Sequence, residues 1–153
     1  MLPKKHIILG LVFTIIFYYI FDTTILQTTL IFLSTFLIDF DHYLWFIINK
    51  KDPNLKNAIT WFKQKREKWI HLSHKEKQNY KIPLIVFHGL EFWIVLYIIS
   101  LKYPLLAFSL IGISFHMVLD WIELIILKEP IIYKFSQTHL YLRNKGKKDF
   151  DLI

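Results

Sequence analysis

The chain has 153 residues, of which 54% are hydrophobic and 20% charged, and its net charge is +7. This composition excludes an intrinsically disordered chain and is too apolar for an ordinary soluble domain of this length. The 19 basic residues lie mostly between long apolar runs rather than in one patch, which argues against a nucleic-acid partner. Since the chain has no cysteine, disulfides and thiolate metal ligands are also excluded.

Four apolar segments approach the roughly 20 residues that a helix needs to cross the hydrocarbon core of a bilayer. They predict spans at about residues 7–21, 25–48, 82–100 and 104–127. The first segment follows two lysines, as in a secretory signal, but no small-residue cleavage site comes after it. The sequence therefore predicts an all-α, polytopic membrane protein, in which residues 1–153 form a single membrane domain with four transmembrane helices.

The distribution of Lys and Arg predicts the orientation of these helices. Of the 19 basic residues, all but Lys102 precede the first span, lie in the loop 49–81 or lie in the tail 128–153. Four spans place these three regions on one face of the membrane, whereas three or five spans would divide them. The positive-inside rule makes that face cytoplasmic. We therefore expect a multi-pass protein of the cell (inner) membrane with both termini in the cytoplasm.

The loop 49–81 has the pattern of a basic amphipathic helix. Asp52 followed by Pro53 is typical of a helix N-terminus. Apolar and aromatic residues then recur at roughly helical spacing among the basic ones: Leu55, Ile59, Phe62, Trp69 and Ile70. Such a helix suits the anionic cytoplasmic surface of a membrane, so the pattern predicts membrane lipids as a partner. The alternative is a solvated loop helix that contacts nothing.

Ionisable side chains occur inside the predicted spans, where each costs roughly 2.5–3.5 kcal/mol near the bilayer centre and usually faces the interior of a bundle. Three spans each contain a histidine and at least one carboxylate: Asp39 and His42, His88 and Glu91, and His116, Asp120 and Glu123. Counted from the cytoplasmic end of each span at the helical rise, these side chains lie about 6–17 Å deep. His6, just before the first span, borders the same layer.

The spacing of these residues places a histidine and a carboxylate on one face of each helix, because residues three, four or seven apart share a face. No predicted span contains a Lys or Arg that could pair with the carboxylates. Imidazole and carboxylate without thiolate are ligands of zinc, and also of iron or manganese. The cluster therefore predicts a divalent metal site. Asp41 points differently from Asp39 and is either a hydrogen-bond partner of His42 or a general base.

Two other functions fit the same residues. An ion or proton carrier could use the acids in turn, but the outer halves of the predicted spans are almost wholly apolar, which argues against a water-filled path. A non-catalytic membrane subunit could use the polar cluster only to hold its helices together.

The order of these residues resembles the family of membrane-bound metal-dependent hydrolases, which is similar in turn to zinc-dependent phospholipase C and to single-strand-specific zinc nucleases. Leu37-Ile38-Asp39-Phe40-Asp41-His42 is similar to the family's Pro-Asp-Ile-Asp-His, with isoleucine in place of proline. Phe115-His116-Met117-Val118-Leu119-Asp120 is similar to its Ser-His-x-x-x-Asp in a late helix. The family's His-Arg-x-x-Thr-His-Ser stretch is replaced here by Val86-Phe87-His88-Gly89-Leu90-Glu91.

By this resemblance the metal ligands are Asp39, His42, His88, His116 and Asp120, with His6 as a further ligand and Glu91 in the place of a lost histidine. The implied function is hydrolysis of a phosphoester in a lipid or lipid-linked substrate at the inner leaflet. Zinc is the implied cofactor, with iron or manganese as alternatives. Asp41 or Glu123, which are left over from ligation, would be the general base. The sequence leaves the oligomeric state open.

Overall fold

A computed structural model describes residues 3–150, and no β-strand occurs among them, which confirms the predicted all-α fold class. Within this range the α-helices are α1 Pro3–Phe21, α2 Ile25–Leu37, α3 Phe40–Lys50, α4 Leu55–His71, α5 His74–Lys77, α6 Leu90–Lys102, α7 Leu106–Ile126, α8 Ile132–Phe135 and α9 Gln137–Asn144. A 3₁₀ turn over Val86–His88 precedes α6.

Three helical stretches in the described range are long and apolar enough to cross a membrane: α1, the stretch Ile25–Lys50 formed by α2 and α3, and α7. Their outward faces carry large apolar side chains, and Ile8 on α1 is 53% exposed while Ile125 on α7 is 59% exposed. Exposed apolar area on this scale is unfavourable in water and favourable in lipid. These helices therefore suggest a membrane protein.

The second predicted span tightens where α2 meets α3. Around Ile38 and Asp39 the backbone N–H groups donate to carbonyls three residues back instead of four, with Asp39 bonding to Phe36 at 3.1 Å and His42 to Asp39 at 3.1 Å. A short 3₁₀ stretch inside a long helix often marks a functional position. Here it lies at the first carboxylate of the Asp39-Phe40-Asp41-His42 cluster.

The third predicted span, 82–100, is not a continuous helix. Helix α6 begins only at Leu90, and its 13 residues extend about 20 Å, against the roughly 30 Å of a hydrocarbon core. Pro83 has no N–H to donate, and side chains from α9 bind the backbone around it instead. Asn144 accepts from the N–H of Ile82 at 3.1 Å and donates to its carbonyl at 2.8 Å. Through these contacts the tail binds residues 82–85 outside any helix, and local sequence does not reveal them.

Helix α4 covers much of the loop 49–81, but it begins two residues later than the Asp52-Pro53 pattern indicates. Asn54 is the N-cap, and its side chain accepts from the N–H groups of Lys56 and Asn57. The Asp52 carboxylate instead accepts from the N–H of Asn54 at 2.8 Å, which forms a turn ahead of the helix.

The tail after α7 packs against the segment that follows α4. Lys77 Nζ donates to Glu129 at 2.6 Å in a buried ion pair, and the backbone of Lys81 bonds to that of Lys148 at 2.8 Å. Arg143 donates to the carbonyls of Lys77 and Tyr80. The loop and the tail therefore form one layer at the end of the bundle where α7 finishes.

Two glycines set the distances between the apolar helices. A Cβ atom on Gly112 of α7 would collide with the backbone of α2, and one on Gly10 of α1 would collide with the Thr35 side chain. His116 lies one turn after Gly112, and His6 lies one turn before Gly10. The close approaches bring both histidines beside α2, where their rings stack with centroids 3.9 Å apart.

Candidate metal centre

Four side-chain atoms from three parts of the chain, the junction of α2 and α3, the 3₁₀ turn and α7, lie close together. His88 Nε2 lies 3.0 Å from His116 Nε2, 3.3 Å from Asp39 Oδ1 and 3.6 Å from Asp120 Oδ2. His116 Nε2 lies 3.7 Å from Asp39 Oδ1 and 3.3 Å from Asp120 Oδ2. Ligand bonds of about 2.0–2.2 Å in a tetrahedral zinc site separate neighbouring ligand atoms by about 3.3–3.6 Å. His88, His116 and Asp120 thus have nearly the spacing of ligands to one metal ion, and Asp39 Oδ1 lies at similar distances from the two histidines.

Hydrogen bonds on the far side of each ring fix which nitrogen faces the centre. His116 Nδ1 lies 2.9 Å from the carbonyl oxygen of Thr35, which can only accept, so Nδ1 carries the proton. His88 Nδ1 lies 3.1 Å from Asp41 Oδ2, and the same argument protonates it. Both Nε2 atoms then present lone pairs to each other at 3.0 Å. This arrangement requires a cation or a shared proton between them.

Two further histidines extend this cluster on opposite sides. His6, Asp39 and His116 form one possible ligand group, and Asp39, His42 and His88 form another, each with one ligand atom per residue within 4.8 Å of the others. The group His88, His116 and Asp120 satisfies the same limit. Asp39 and the two central histidines are shared between groups, so the donors suit one to several ions.

The donors include buried polar atoms without hydrogen-bond partners. His6 is fully buried, and within residues 3–150 neither of its ring nitrogens makes a hydrogen bond, although Nε2 is 3.4 Å from Asp120 Oδ1. Asp39 Oδ2 has no hydrogen-bond partner in the same range. A buried polar atom without a partner costs free energy, which a bound cation would offset. These atoms, together with the spacing of the cluster, fit a divalent metal.

Asp41 lies between two histidine rings and not in the centre itself. Its Oδ1 is 3.0 Å from His42 Nδ1, and its Oδ2 accepts from the N–H of Phe87 at 2.8 Å besides facing His88. A carboxylate behind a metal-binding imidazole orients the ring and increases its basicity. Both oxygens of the Asp41 carboxylate therefore have partners, and through them Asp41 holds the His42 and His88 rings in place.

Glu91 is not brought to the cluster, because Gly89 separates His88 from helix α6 and the two residues do not share a helix face. Its carboxylate accepts from the hydroxyl of Ser136 at 2.7 Å and from the N–H groups of Gln137 at 3.2 Å and Thr138 at 3.0 Å. These are the first groups of helix α9. Glu91 therefore caps a helix N-terminus.

Glu123 also lies outside the three ligand groups. It accepts from Arg66 Nη2 at 2.8 Å, which joins α7 to α4. Glu123 lines a cavity beside the centre, so its position is that of a residue in the wall of the site and not that of a metal ligand.

Two basic residues reach the buried acids, contrary to the expectation that the carboxylates have no basic partner. Lys134 Nζ of α8 donates to Asp120 Oδ2 at 2.6 Å, and Arg66 of α4 binds Glu123. Burial lowers the pKa of Lys134, but the negative charges of Asp120 and Asp39 outweigh burial and raise that pKa above the ordinary lysine value. Both bases come from outside the apolar runs. The one sequence signal for Lys134 is its position among apolar and aromatic residues in Ile131-Ile132-Tyr133-Lys134-Phe135.

A cavity of about 520 Å³ lies against the metal centre. Asp39, His42 and His88 form part of its wall, and much of the rest comes from α4, the segment before the 3₁₀ turn, the end of α7 and α8. A ligand of small-molecule size fits such a volume. The donors are thus accessible from one side.

Comparison of the chain with protein-family models, curated proteins and solved structures finds no match. The fold and the cluster define an all-helical protein with apolar helices of membrane-spanning length and buried His/Asp groups that could hold a metal ion.

Proposed function

We propose that the protein is a membrane-embedded metal-dependent hydrolase that acts on a phosphoester of a lipid or lipid-linked substrate. The observation that carries this proposal is the meeting of His88 Nε2, His116 Nε2 and Asp120 Oδ2 within 3.0–3.6 Å of one another, with Asp39 Oδ1 3.3 Å from His88 Nε2, beside an open cavity. The resemblance to membrane-bound metal-dependent hydrolases supports the same activity. Zinc is the proposed cofactor, since its ligands match this donor set, with iron or manganese as alternatives.

The chemistry that a bound divalent cation supplies is polarisation of a phosphoryl oxygen and a lowered pKa of water. The chain's own residues orient the groups around it. Asp41 holds the rings of His42 and His88, and the Thr35 carbonyl holds that of His116. Asp41 and Glu123 are the proposed general bases, and Glu123 has the more open position on the cavity wall.

We also propose four membrane crossings, with the third made by a broken segment. Lys77 before this segment and Glu129 after α7 form a buried ion pair, so the chain before residue 82 and the chain after α7 lie on the same side. Since α7 crosses once, residues 82–102 must cross as well. Non-helical backbone at membrane depth is tolerated where protein buries it. With the positive-inside rule, the basic loop and tail are cytoplasmic and the cavity opens near the inner leaflet.

Metal analysis of the purified protein tests the proposed function. We expect at least about one equivalent of zinc, iron or manganese per chain, and loss of most of it in His116→Ala and Asp39→Ala, because each removes a donor from the centre. His74→Ala is the matched control, since His74 is exposed on α5 and belongs to none of the three ligand groups, and should leave the metal content unchanged. Activity is measured as headgroup or phosphate release from phospholipids in mixed micelles, before and after chelation and metal return.

Folded wild-type protein without metal, and with the same activity as both variants, would contradict the proposal. Helical content and elution as one species show that a variant is folded. If the protein contains metal but does not hydrolyse lipid phosphoesters, the metal centre would be supported and the hydrolase proposal would be rejected.

A non-catalytic membrane subunit is the second candidate, and the Lys134–Asp120 ion pair favours it. A lysine ammonium already neutralises one carboxylate of the centre without any metal. In that case the network would hold α7 against α8 and nothing more. Metal-free protein that loses stability in Lys134→Met would support this candidate.

A further inference from the structure

The charged side chains around the cavity indicate the charge of the ligand that it can bind. Among the residues that the structure describes, its wall contains four basic and three acidic side chains: Lys65, Arg66, Lys81 and Lys134, and Asp39, Glu123 and Glu129. Glu129 is paired with Lys77, and Asp39 belongs to the metal centre. Lys81 pairs with Asp149, and even without a cation in the centre the basic side chains of the wall outnumber the acidic ones. The cavity therefore favours an anion and repels a quaternary ammonium group.

Lys134 is the base next to the centre. Its Nζ bonds to Asp120 Oδ2, which is also one of the four central atoms, and the side chain remains 25% exposed toward the cavity. An ammonium has three N–H donors, so the bond to Asp120 leaves two that can bind an anion.

Arg66 provides a second donor on the opposite element. It binds Glu123 through Nη2, and its side chain is 39% exposed on the cavity wall. A guanidinium has five N–H donors in a planar fork that matches phosphate oxygens. Lys134 from α8 and Arg66 from α4 thus both line the cavity with N–H donors that can bind an anion.

Apolar side chains line another part of the same cavity. Leu37, Phe40 and Ile59 belong to its wall and are 51%, 52% and 51% exposed, so the cavity is continuous with an apolar outer surface. An acyl chain can lie against these residues while a charged end reaches Lys134. An inorganic anion would use only the polar part of the cavity.

We propose that the cavity binds a phosphomonoester lipid, with the dianionic phosphate held by Lys134 and Arg66 and the acyl chains along Leu37, Phe40 and Ile59. This inference rests on the proposed function for the location of the site, and it names the substrate class. Lys134 and Arg66 are headgroup-binding residues in this arrangement. A phosphodiester with a choline headgroup fits less well, because it carries one negative charge fewer and a cation that the basic wall repels.

Binding is tested on the metal-free, detergent-solubilised full chain by titration calorimetry, so that turnover does not enter. The probes are dihexanoyl phosphatidic acid, dihexanoyl phosphatidylcholine and inorganic phosphate. We expect phosphatidic acid to bind at least about tenfold more tightly than either of the others, which is the scale of one charge-assisted hydrogen bond. Lys134→Met and Arg66→Gln should each weaken phosphatidic acid binding by about tenfold and leave phosphatidylcholine unchanged.

Lys145→Met is the matched control, because Lys145 is exposed and lies over the Tyr141 ring, outside the cavity lining. Equal affinity for the two lipids would overturn the inference. Phosphate that binds as tightly as phosphatidic acid would also overturn it, in favour of a site for the free anion. If Lys134→Met lowers the metal content of the holoprotein but not the lipid affinity, Lys134 only supports Asp120 and its proposed role is rejected. A hydrolase with a different substrate would fail these tests and still pass those for metal and turnover.

Discussion

At the residue scale, the pairs that lie on one regular helix are the ones that sequence spacing could place. His116 and Asp120 are four residues apart on α7, and their facing atoms are 3.3 Å apart. His88 and Glu91 are three residues apart, but Gly89 ends the 3₁₀ turn between them and they face different parts of the molecule. Spacing rules apply within one helix, which explains why they placed His116 with Asp120 but not His88 with Glu91. They also placed Asp39 with His42 at the start of α3, where the two side chains are 3.5 Å apart. As metal ligands, all these residues remain predictions.

Asp41 offers a test of the difference between orienting a ligand and taking a proton. Asp41→Asn keeps the size of the side chain but removes the charge that orients His88 and His42. If Asp41 orients these rings, zinc affinity should fall about 10- to 100-fold, measured by competition with a fluorescent chelator.

Asp52→Asn is the control for Asp41→Asn, because it makes the same change at an acid in the turn ahead of α4. Unchanged affinity in Asp41→Asn together with lost turnover would contradict the orienting role and assign the general base to Asp41. Unchanged affinity and unchanged turnover would contradict both roles.

At the scale of elements, the site depends on contacts between the tail and the broken third segment. Gln137 accepts from the N–H of Ile85 at 3.0 Å, and Asn144 binds Ile82 through two hydrogen bonds. The 3₁₀ turn that carries His88 follows directly. Hydropathy predicted an apolar helix here because composition says nothing about backbone partners that lie more than 50 residues away. Lys134 was missed for the same reason, since its acid partner is on another helix.

Glu91→Ala tests the cap at the start of α9. The change leaves the N–H groups of Gln137 and Thr138 without the carboxylate, and we expect a loss of about 1–2 kcal/mol in local stability. Compared with the unsubstituted protein, Glu91→Ala should show faster hydrogen exchange in α9 and unchanged exchange in α7. Its metal content should stay the same.

Glu67→Ala is the control for Glu91→Ala, because it removes an exposed acid from α4. A loss of metal in Glu91→Ala, with unchanged exchange in α9, would show that Glu91 is a ligand after all. In that case the capping assignment is wrong.

At the scale of the whole molecule, hydropathy predicted three of the spans well, since α1, the stretch Ile25–Lys50 and α7 have the required length and composition. These helices are regular, so the length of the apolar segment is enough to predict them from sequence. The fourth crossing is supported by a tertiary contact, the Lys77–Glu129 ion pair, which no local pattern contains. The charge distribution independently indicates an even number of crossings, because the basic loop and the basic tail belong on one face of the membrane.

The absence of native cysteine makes this topology directly measurable. Single substitutions Asn57→Cys in α4 and Tyr103→Cys between α6 and α7 are exposed positions on the two proposed faces. In intact cells a membrane-impermeant maleimide should label Tyr103→Cys, and it should label Asn57→Cys only after the membrane is opened. The unsubstituted chain gives the background. Labelling of Asn57→Cys alone in intact cells, or of both positions, would contradict four crossings with cytoplasmic termini.

The dependence of His88 on Gln137 and Asn144 has a consequence for biogenesis. These two residues are synthesised after every apolar helix, so the helices enter the bilayer while one donor of the centre still lacks its support. Nascent chains therefore pass through an inserted but incomplete stage. If the centre binds a cation as proposed, the complete site would form only after the tail has been synthesised and has packed against residues 82–85.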